Sequence, residues 1–281
     1  MSSIVIKDIV LNLSTAAGRD PAADYAISAA SAFNAHVTAI VFAYEPIPPP
    51  VFGAAETMAL AWHDNQRAKA EDAAKAAVAQ FEDGAQRAGV SCATQLINAP
   101  VSDAADLFAR AARRFDVSFV RQNDPGKLAH EALVIEAALF DSGRPIVVVP
   151  YIQKGGLTLD RVMVCWDGSR NAARALADAM PFLARAKAIE AVTIGPARGD
   201  GEIEAADIAR HLARHGLQVD VERIVAPGLD IANTILSHAA DTSADFIVMG
   251  GYGHSRLREF ILGGATRGIL ATMTVPTLMS H

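Results

Sequence analysis

Short apolar runs alternate along the chain with longer, alanine-rich stretches of helical periodicity. KDIVLNL (residues 7–13) and DRVMVCW (residues 160–166) are strand-like runs, and a helical stretch and a further apolar run follow each of them. Most of the runs are continuously apolar rather than alternating, which is typical of strands that are buried on both faces. The pattern therefore predicts an α/β fold in which helices cover a parallel sheet on both sides.

The alternating pattern occurs twice. In each half an Ala-Pro pair (residues 99–100 and 226–227) precedes a helix, an aspartate (Asp116 and Asp245) precedes a buried strand, and a proline-led strand closes the half. We therefore predict two tandem domains, residues 1–152 and 158–281, joined by the glycine-containing segment QKGGLT. A proline-rich insertion, EPIPPPVFGAAETMAL, is interpreted as an excursion over the sheet edge, with a lid or partner-contact loop as the alternative.

Composition and charge exclude several classes of protein. The 281 residues carry a formal net charge of −6, without a basic stripe, which argues against a nucleic-acid-coating protein. No apolar run approaches the roughly 18 residues of a membrane span, and the first residues lack a signal-peptide pattern, so we expect a cytoplasmic protein. Cys92 and Cys165 suggest neither a disulfide framework nor a zinc site and are interpreted as small buried residues of strands.

The stretch GGYGHSRLREFILGG (residues 250–264) is the strongest candidate for a functional site. It follows the apolar run FIVM and precedes a helical segment. Ligands of open parallel sheets bind beyond the carboxyl ends of the strands, and N–H groups at a helix start bind anions. The stretch contains neither a P-loop nor the dinucleotide-binding fingerprint, which would need glycine where Arg256 stands.

The glycine spacing that does occur is Gly250-x2-Gly253-x9-Gly263-Gly264, accompanied by the loop CWDGS after the first strand and by APG after the third. With these motifs the sequence resembles the universal stress protein family, over nearly its whole length and as two tandem copies. The resemblance implies two tandem Rossmann-like domains of the adenine nucleotide alpha hydrolase-like group. Each would be a five-stranded parallel sheet flanked by helices.

The resemblance also implies a site for ATP, with Mg²⁺, in the C-terminal half. It places Asp167 beside the adenosine and the glycines Gly250, Gly253 and Gly263 beside the phosphates. The adjoining residues complete the candidate phosphate site: His254, Ser255, Arg256, Gly264, Ala265 and Thr266. Ser255 or Arg256 is the candidate side-chain contact to phosphate, with solvated surface charge as the alternative for Arg256. Family members have Ser or Thr where this chain has Gly264, so a hydroxyl donor to the terminal phosphate is missing. Thr266 is the candidate replacement.

The first half lacks this apparatus. Its fourth strand is followed by RQNDPGK (residues 121–127), Ser14 stands near the place of Asp167, and a carboxylate at Asp124 would repel phosphate. We interpret this half as a degenerate copy that is kept for pairing. Because family members pair through their last strands, we expect an intrachain pseudo-dimer, and further association of two chains stays open.

The predicted function is that of an ATP-binding, nucleotide-dependent stress-response regulator. No catalytic constellation is evident, so any ATP hydrolysis is expected to be slow. His211 and His215 lie four residues apart without a third ligand and are interpreted as part of a solvated helix face, not as a metal site. Two alternatives remain: a nucleotide-free interaction protein, and an adenosine-cofactor enzyme or carrier of the same fold.

Overall fold

Ten strands and eight helices make up the described part of the chain. The computed structural model describes residues 5–16, 18–45, 56–126, 130–196, 204–225, 230–251 and 264–281. The strands are β1 (Asp8–Leu13), β2 (His36–Tyr44), β3 (Cys92–Ala99), β4 (Val117–Arg121), β5 (Ile146–Val149), β6 (Arg161–Cys165), β7 (Ala188–Ile194), β8 (Asp220–Ile224), β9 (Phe246–Gly250) and β10 (Thr277–Ser280). The helices are α1 (Pro21–Phe33), α2 (Glu56–Arg87), α3 (Val101–Ala112), α4 (His130–Asp141), α5 (Arg170–Leu183), α6 (Ala205–Arg214), α7 (Ile231–Asp241) and α8 (Gly264–Thr272).

The described strands form one ten-stranded sheet in the order β3-β2-β1-β4-β5-β10-β9-β6-β7-β8. Pairing is parallel within β1–β5 and within β6–β10, and antiparallel where β5 meets β10. The predicted α/β class and the predicted pairing of the two closing strands are therefore confirmed. Since each closing strand covers the other's edge, neither edge is left free to pair with another chain.

Helices cover both faces of the sheet, as the continuous apolar runs predict. Alternate strand residues point to opposite faces: Leu11 and Val164 belong to one buried cluster, and Val10 and Met163 to the other. The first cluster also contains side chains of α1, α2, α5 and α6, and the second contains side chains of α3, α4, α7 and α8. None of the described helices is long and apolar enough to cross a membrane.

The repeated aspartate has the same structural task in each half. The carboxylate of Asp116 accepts the backbone N–H groups of residues 7 and 8, at 2.7 and 3.0 Å. The carboxylate of Asp245 accepts those of residues 160 and 161, at 2.8 and 3.1 Å. Each aspartate thus ties the start of its own strand to the start of the central strand of its half, which explains why the sequence repeats it.

Side-chain contacts also join the two halves. Phe33 of α1 packs edge-on against Phe182 of α5, with ring centroids 5.1 Å apart. Gln122, which is 1% exposed, donates from its amide to the backbone oxygen of Leu270 in α8 at 3.0 Å. The halves therefore share a core as well as a strand pair.

The linker is held against the first half. Leu157 N–H donates to Ser28 Oγ at 3.0 Å. A Cβ on Gly156 would lie 2.5 Å from Ser28 Cβ, so only glycine fits this approach to α1. Of the proline-rich insertion, residues 46–55 lie outside the described part of the chain. Its end is already helical, because α2 begins at Glu56.

Candidate functional site

The candidate site of the C-terminal half lies at the carboxyl ends of β6 and β9. These strands are parallel neighbours, with Cys165 paired to Met249. Gly250 is the last residue of β9, and Asp167 lies two residues beyond the end of β6, so both lie at adjacent strand ends. The chain leaves β6 toward β7 on one side and leaves β9 toward β10 on the other, so the connections diverge between the neighbours β6 and β9. This is the topological switch point at which open α/β sheets bind ligands.

Asp167 is exposed and lies in the turn that leads from β6 into α5. Its Oδ1 accepts the backbone N–H of Ser169 at 2.9 Å, and Gly168 between them has φ +75°. Ser169 in turn caps α5, since its Oγ accepts the N–H of Ala172. The turn therefore holds a carboxylate at the strand end, in the position that the sequence predicted for it.

Cys165 lies two residues before Asp167, at the end of β6. Burial, and secondly the negative charge of Asp167, raise the pKa of the Cys165 thiol to about 12. The thiol is therefore protonated at neutral pH and is a poor nucleophile, so nothing at this strand end suggests cysteine chemistry.

Packing against backbone requires glycine at position 250, whereas Gly251 faces the end of a flexible side chain. A Cβ on Gly250 would lie 2.6 Å from the backbone N of Ala172 and 2.7 Å from the backbone C of Asn171, both in the first turn of α5. A Cβ on Gly251 would lie 2.7 Å from the side chain of Leu139, in α4 of the other half. The absence of a side chain at Gly250 thus lets α5 approach β9, independently of any ligand.

Helix α8 begins at Gly264, with no acidic residue in its first turn. Gly264 is exposed, and a Cβ placed on it would meet no atom of the described residues within 4 Å. Ala265 is half-buried, and Thr266 is 3% exposed. The first turn thus presents backbone at Gly264 to open space, whereas Thr266, the candidate replacement hydroxyl, faces the interior.

Five of the predicted site residues belong to the segment between β9 and α8. Gly253, His254, Ser255, Arg256 and Gly263 lie outside the described part of the chain. The structure therefore brings Asp167 and Gly250 to one edge of the sheet and defines the start of α8.

In the N-terminal half, Ser14 occupies the place of Asp167. The hydrogen bonds of the repeated aspartates align residue 8 with residue 161, and the same offset aligns Ser14 with Asp167. Here the strand ends of β1, β2 and β4 and the start of α4 surround a cavity of about 340 Å³. Charged and aromatic side chains line it, among them Tyr44, Arg121 and Glu131. Sequence reasoning missed this cluster, although Tyr44 and Arg121 each end an apolar run.

A pair of histidines lies at the C-terminal end of α6. The rings of His211 and His215 are 4.9 Å apart. Among the described residues, no group of three or more His, Cys, Asp or Glu side chains is arranged to hold a metal ion.

Comparison with known proteins relates this architecture to one family. The sequence model of the Universal stress protein family matches residues 158–281. A universal stress protein of Synechocystis sp. is 26% identical over 174 residues, which are 58% of this chain and 57% of the relative. The chain thus spans little more than half the length of this curated relative.

Two solved structures share the fold over almost the whole chain. A universal stress protein from Archaeoglobus fulgidus is 16% identical with a TM-score of 0.72, covering 97% of this chain and 95% of its own. A putative universal stress protein from Pseudomonas aeruginosa is 15% identical with a TM-score of 0.62, covering 98% of this chain and 93% of its own. Residues 158–281 are therefore similar in sequence to the universal stress protein family, and the whole chain shares the fold of these two structures.

Proposed function

We propose that the C-terminal half binds ATP, together with Mg²⁺, and that the protein acts as a nucleotide-dependent regulator of a stress response. The observation that carries the proposal is the open first turn of α8, at Gly264, on the half that matches the family. The unpaired N–H groups and the dipole of a helix start attract phosphate. We also propose that the two domains comprise residues 1–152 and 158–281.

Each end of the nucleotide has a proposed binding region. Asp167 accepts hydrogen bonds from the adenosine, since an ionised carboxylate is an acceptor only. The backbone N–H groups of Gly264 and Ala265 donate to the phosphates, and Mg²⁺ offsets the charge that the phosphates carry. The loop from Gly253 to Gly263, including Arg256, completes the phosphate site in this proposal. Hydrolysis is slow in this proposal, because it assigns no base to the terminal phosphate: the carboxylate of Asp167 lies at the adenosine end.

Mass spectrometry of the ligand released from freshly purified protein is the first test. We expect the released ligand to be ATP or ADP. Calorimetry of the protein after the ligand has been removed should give a stoichiometry of about one nucleotide per chain, because the chain has one intact glycine motif. A different adenosine compound would favour a cofactor carrier. Protein that retains no nucleotide and binds none would be the nucleotide-free interaction protein.

A pair of variants tests the role of Asp167. Asp167→Ala removes a charged acceptor, worth roughly 1.5–3 kcal/mol, so ATP affinity should fall about tenfold to a hundredfold. Asp160→Ala is the matched control, because Asp160 precedes the other end of β6 and pairs with exposed Lys187. Thermal unfolding of both variants separates binding from folding. Equal affinities of the two variants would contradict the assignment.

A further inference from the structure

The two strands at the ends of the ten-stranded sheet, β3 and β8, expose different side chains. Strand β3 pairs with β2, and no strand of the described part of the chain pairs with its other side. Among its five residues β8 carries Asp220, Glu222 and Arg223, and charges on an edge strand keep other chains from pairing with it. The eight residues of β3, CATQLINA, include neither a charge nor a proline, so this edge lacks that protection.

Alternate residues of β3 direct their backbone groups away from the sheet. Val37 N–H donates to the backbone oxygen of Ser91 and Glu45 N–H to that of Ala99, both at 3.0 Å. The direction of the backbone groups alternates along a strand, so the odd-numbered residues bond to β2. The N–H and C=O groups of the even-numbered residues therefore point to the outer edge: Cys92, Thr94, Leu96 and Asn98.

The middle of β3 is open on both faces of the sheet. Glu82 of α2 accepts the hydroxyl of Thr94 at 2.9 Å, so α2 runs along the face to which Thr94 points. Leu96 points to the same face two residues later and is nevertheless 37% exposed. On the opposite face Gln95 is exposed. The described residues therefore leave the central part of this edge accessible.

We propose that β3 pairs with β3 of a second copy of this chain, antiparallel, about a twofold axis at Gln95. In this register residue 92 faces residue 98 of the second copy and residue 94 faces residue 96, so every outward N–H and C=O group has a partner. Any shift of the register leaves an outward residue unpaired. The same kind of antiparallel contact already joins the two halves of one chain, where β5 meets β10. This proposal concerns assembly and is independent of nucleotide binding.

The side chains of β3 favour its own copy as the partner. Gln95 faces Gln95 of the second copy, and a primary amide both donates and accepts, so the two side chains can bond to each other. On the other face Leu96 lies opposite Thr94 and diagonal to Leu96 of the second copy, within reach of cross-strand contact. No like charges meet within the strand pair, because β3 has none. The proline-rich insertion is a poor substitute for the second copy, since four of residues 46–50 are prolines, which have no N–H for a ladder.

The charges of α2 agree with the same axis. Glu71 accepts the side-chain amide of Asn98 at 3.4 Å, and Lys75 follows one helical turn later. That turn advances by roughly 6 Å, about two strand positions, which brings Lys75 level with Leu96. Leu96 faces the residue of the second copy to which that copy's Glu82 is bonded. The axis therefore sets an ammonium group level with a carboxylate of the second copy, twice.

Sedimentation velocity over a range of protein concentrations tests the assembly. The wild type should reach the mass of two chains, and Gln95→Lys should raise the dissociation constant by about fivefold or more, because two lysines then face each other. Gln218→Lys is the matched control, since Gln218 is an exposed residue that precedes β8 at the other end of the sheet. A wild type that stays monomeric at several hundred micromolar, or equal dissociation constants of the two variants, would overturn the proposal.

A disulfide between copies tests the register. Residue 95 and its copy form a non-hydrogen-bonded pair with Cα atoms about 4.5 Å apart, which a disulfide can span. Gln95→Cys, oxidised with glutathione disulfide, should therefore give a covalent dimer on a non-reducing gel. Ala93→Cys, also exposed on this strand, should not, because residue 93 and its copy are roughly 14 Å apart. The wild type, with Cys92 and Cys165, is the blank. Equal cross-linking of both variants, or none of Gln95→Cys, would refute the register and with it the proposed pairing.

Discussion

Replacing Gly264 with serine tests whether a hydroxyl at the start of α8 controls recognition of the terminal phosphate. Serine fits at this position as far as the described residues are concerned, because a Cβ would meet none of their atoms within 4 Å and Gly264 is exposed. No backbone shift is needed, so a change in ligand preference can be attributed to the added hydroxyl.

The expected magnitude follows from one hydrogen bond. A single neutral hydrogen bond contributes roughly 0.5–1.5 kcal/mol, which is a few-fold to about tenfold in affinity. Since only ATP has a γ-phosphate, Gly264→Ser should raise the preference for ATP over ADP by about that factor. Replacing glycine in a helix should also stabilise the fold by about 0.4–1 kcal/mol, through the loss of chain entropy in the unfolded state.

Calorimetry with ATP and with ADP, on the wild type, Gly264→Ser and Gly264→Ala, measures the effect. The alanine variant has the same Cβ and the same entropic gain but no hydroxyl. Its ratio of ATP to ADP affinity should equal that of the wild type. If the serine variant also keeps the wild-type ratio, other groups already satisfy the γ-phosphate, and the reasoning from the missing hydroxyl is refuted.

Three further predictions concern folding. Gly250→Ala should lower the free energy of unfolding by about 1–3 kcal/mol, because the added Cβ would press on the backbone of α5. Chemical denaturation measures this loss, with Gly264→Ala, a substitution at an exposed glycine, as the control. Asp20→Ala should cost about 0.5–2 kcal/mol in the same assay, since Asp20 caps α1, and no loss would contradict that role. Residues 1–152 and 158–281, expressed as separate chains, should copurify through β5 and β10; two stable monomers would disprove the pairing.

Much of the fold could be predicted from the sequence because its signals are local. Continuous apolar runs define strands that are buried on both faces, and an aspartate before the run appears in both halves, as Asp116 and Asp245. The closing strands could be matched because each follows a proline. These features depend on neighbouring residues and on a repeat, both of which can be read along the chain.

The reason for Gly250 could not be predicted in the same way. The sequence suggested that a glycine at this strand end leaves room for phosphate, whereas a Cβ there would meet the backbone of Asn171 and Ala172. Those residues lie about eighty positions earlier in the chain, in a helix whose approach depends on the packing of the whole half. A glycine at a strand end therefore has two possible physical causes, and only the three-dimensional contacts separate them.

The N-terminal cavity could not be predicted from the sequence for a related reason. Tyr44 and Arg121 end different strands, and Glu131 lies in the helix after the second of them, so no short motif contains all three. The sequence could identify only what was missing from the first half, namely the glycine pattern and the aspartate that Ser14 replaces. Because the first half lacks the glycine motif, it was interpreted as a degenerate copy. The ends of β1, β2 and β4 nevertheless lie together around one cavity.

The contrast between the two halves follows from what the fold requires. The sheet and its helices depend on buried residues such as Val10 and Met163, and on close approaches such as that at Gly250. The residues immediately beyond the strand ends, Ser14 in one half and Asp167 in the other, have no part in those clusters. They can therefore differ between the halves while the buried apolar clusters stay the same. One chain therefore holds two strand-end regions of the same topology with different residues around them: a cavity lined by charged side chains in the first half and the exposed start of α8 in the second.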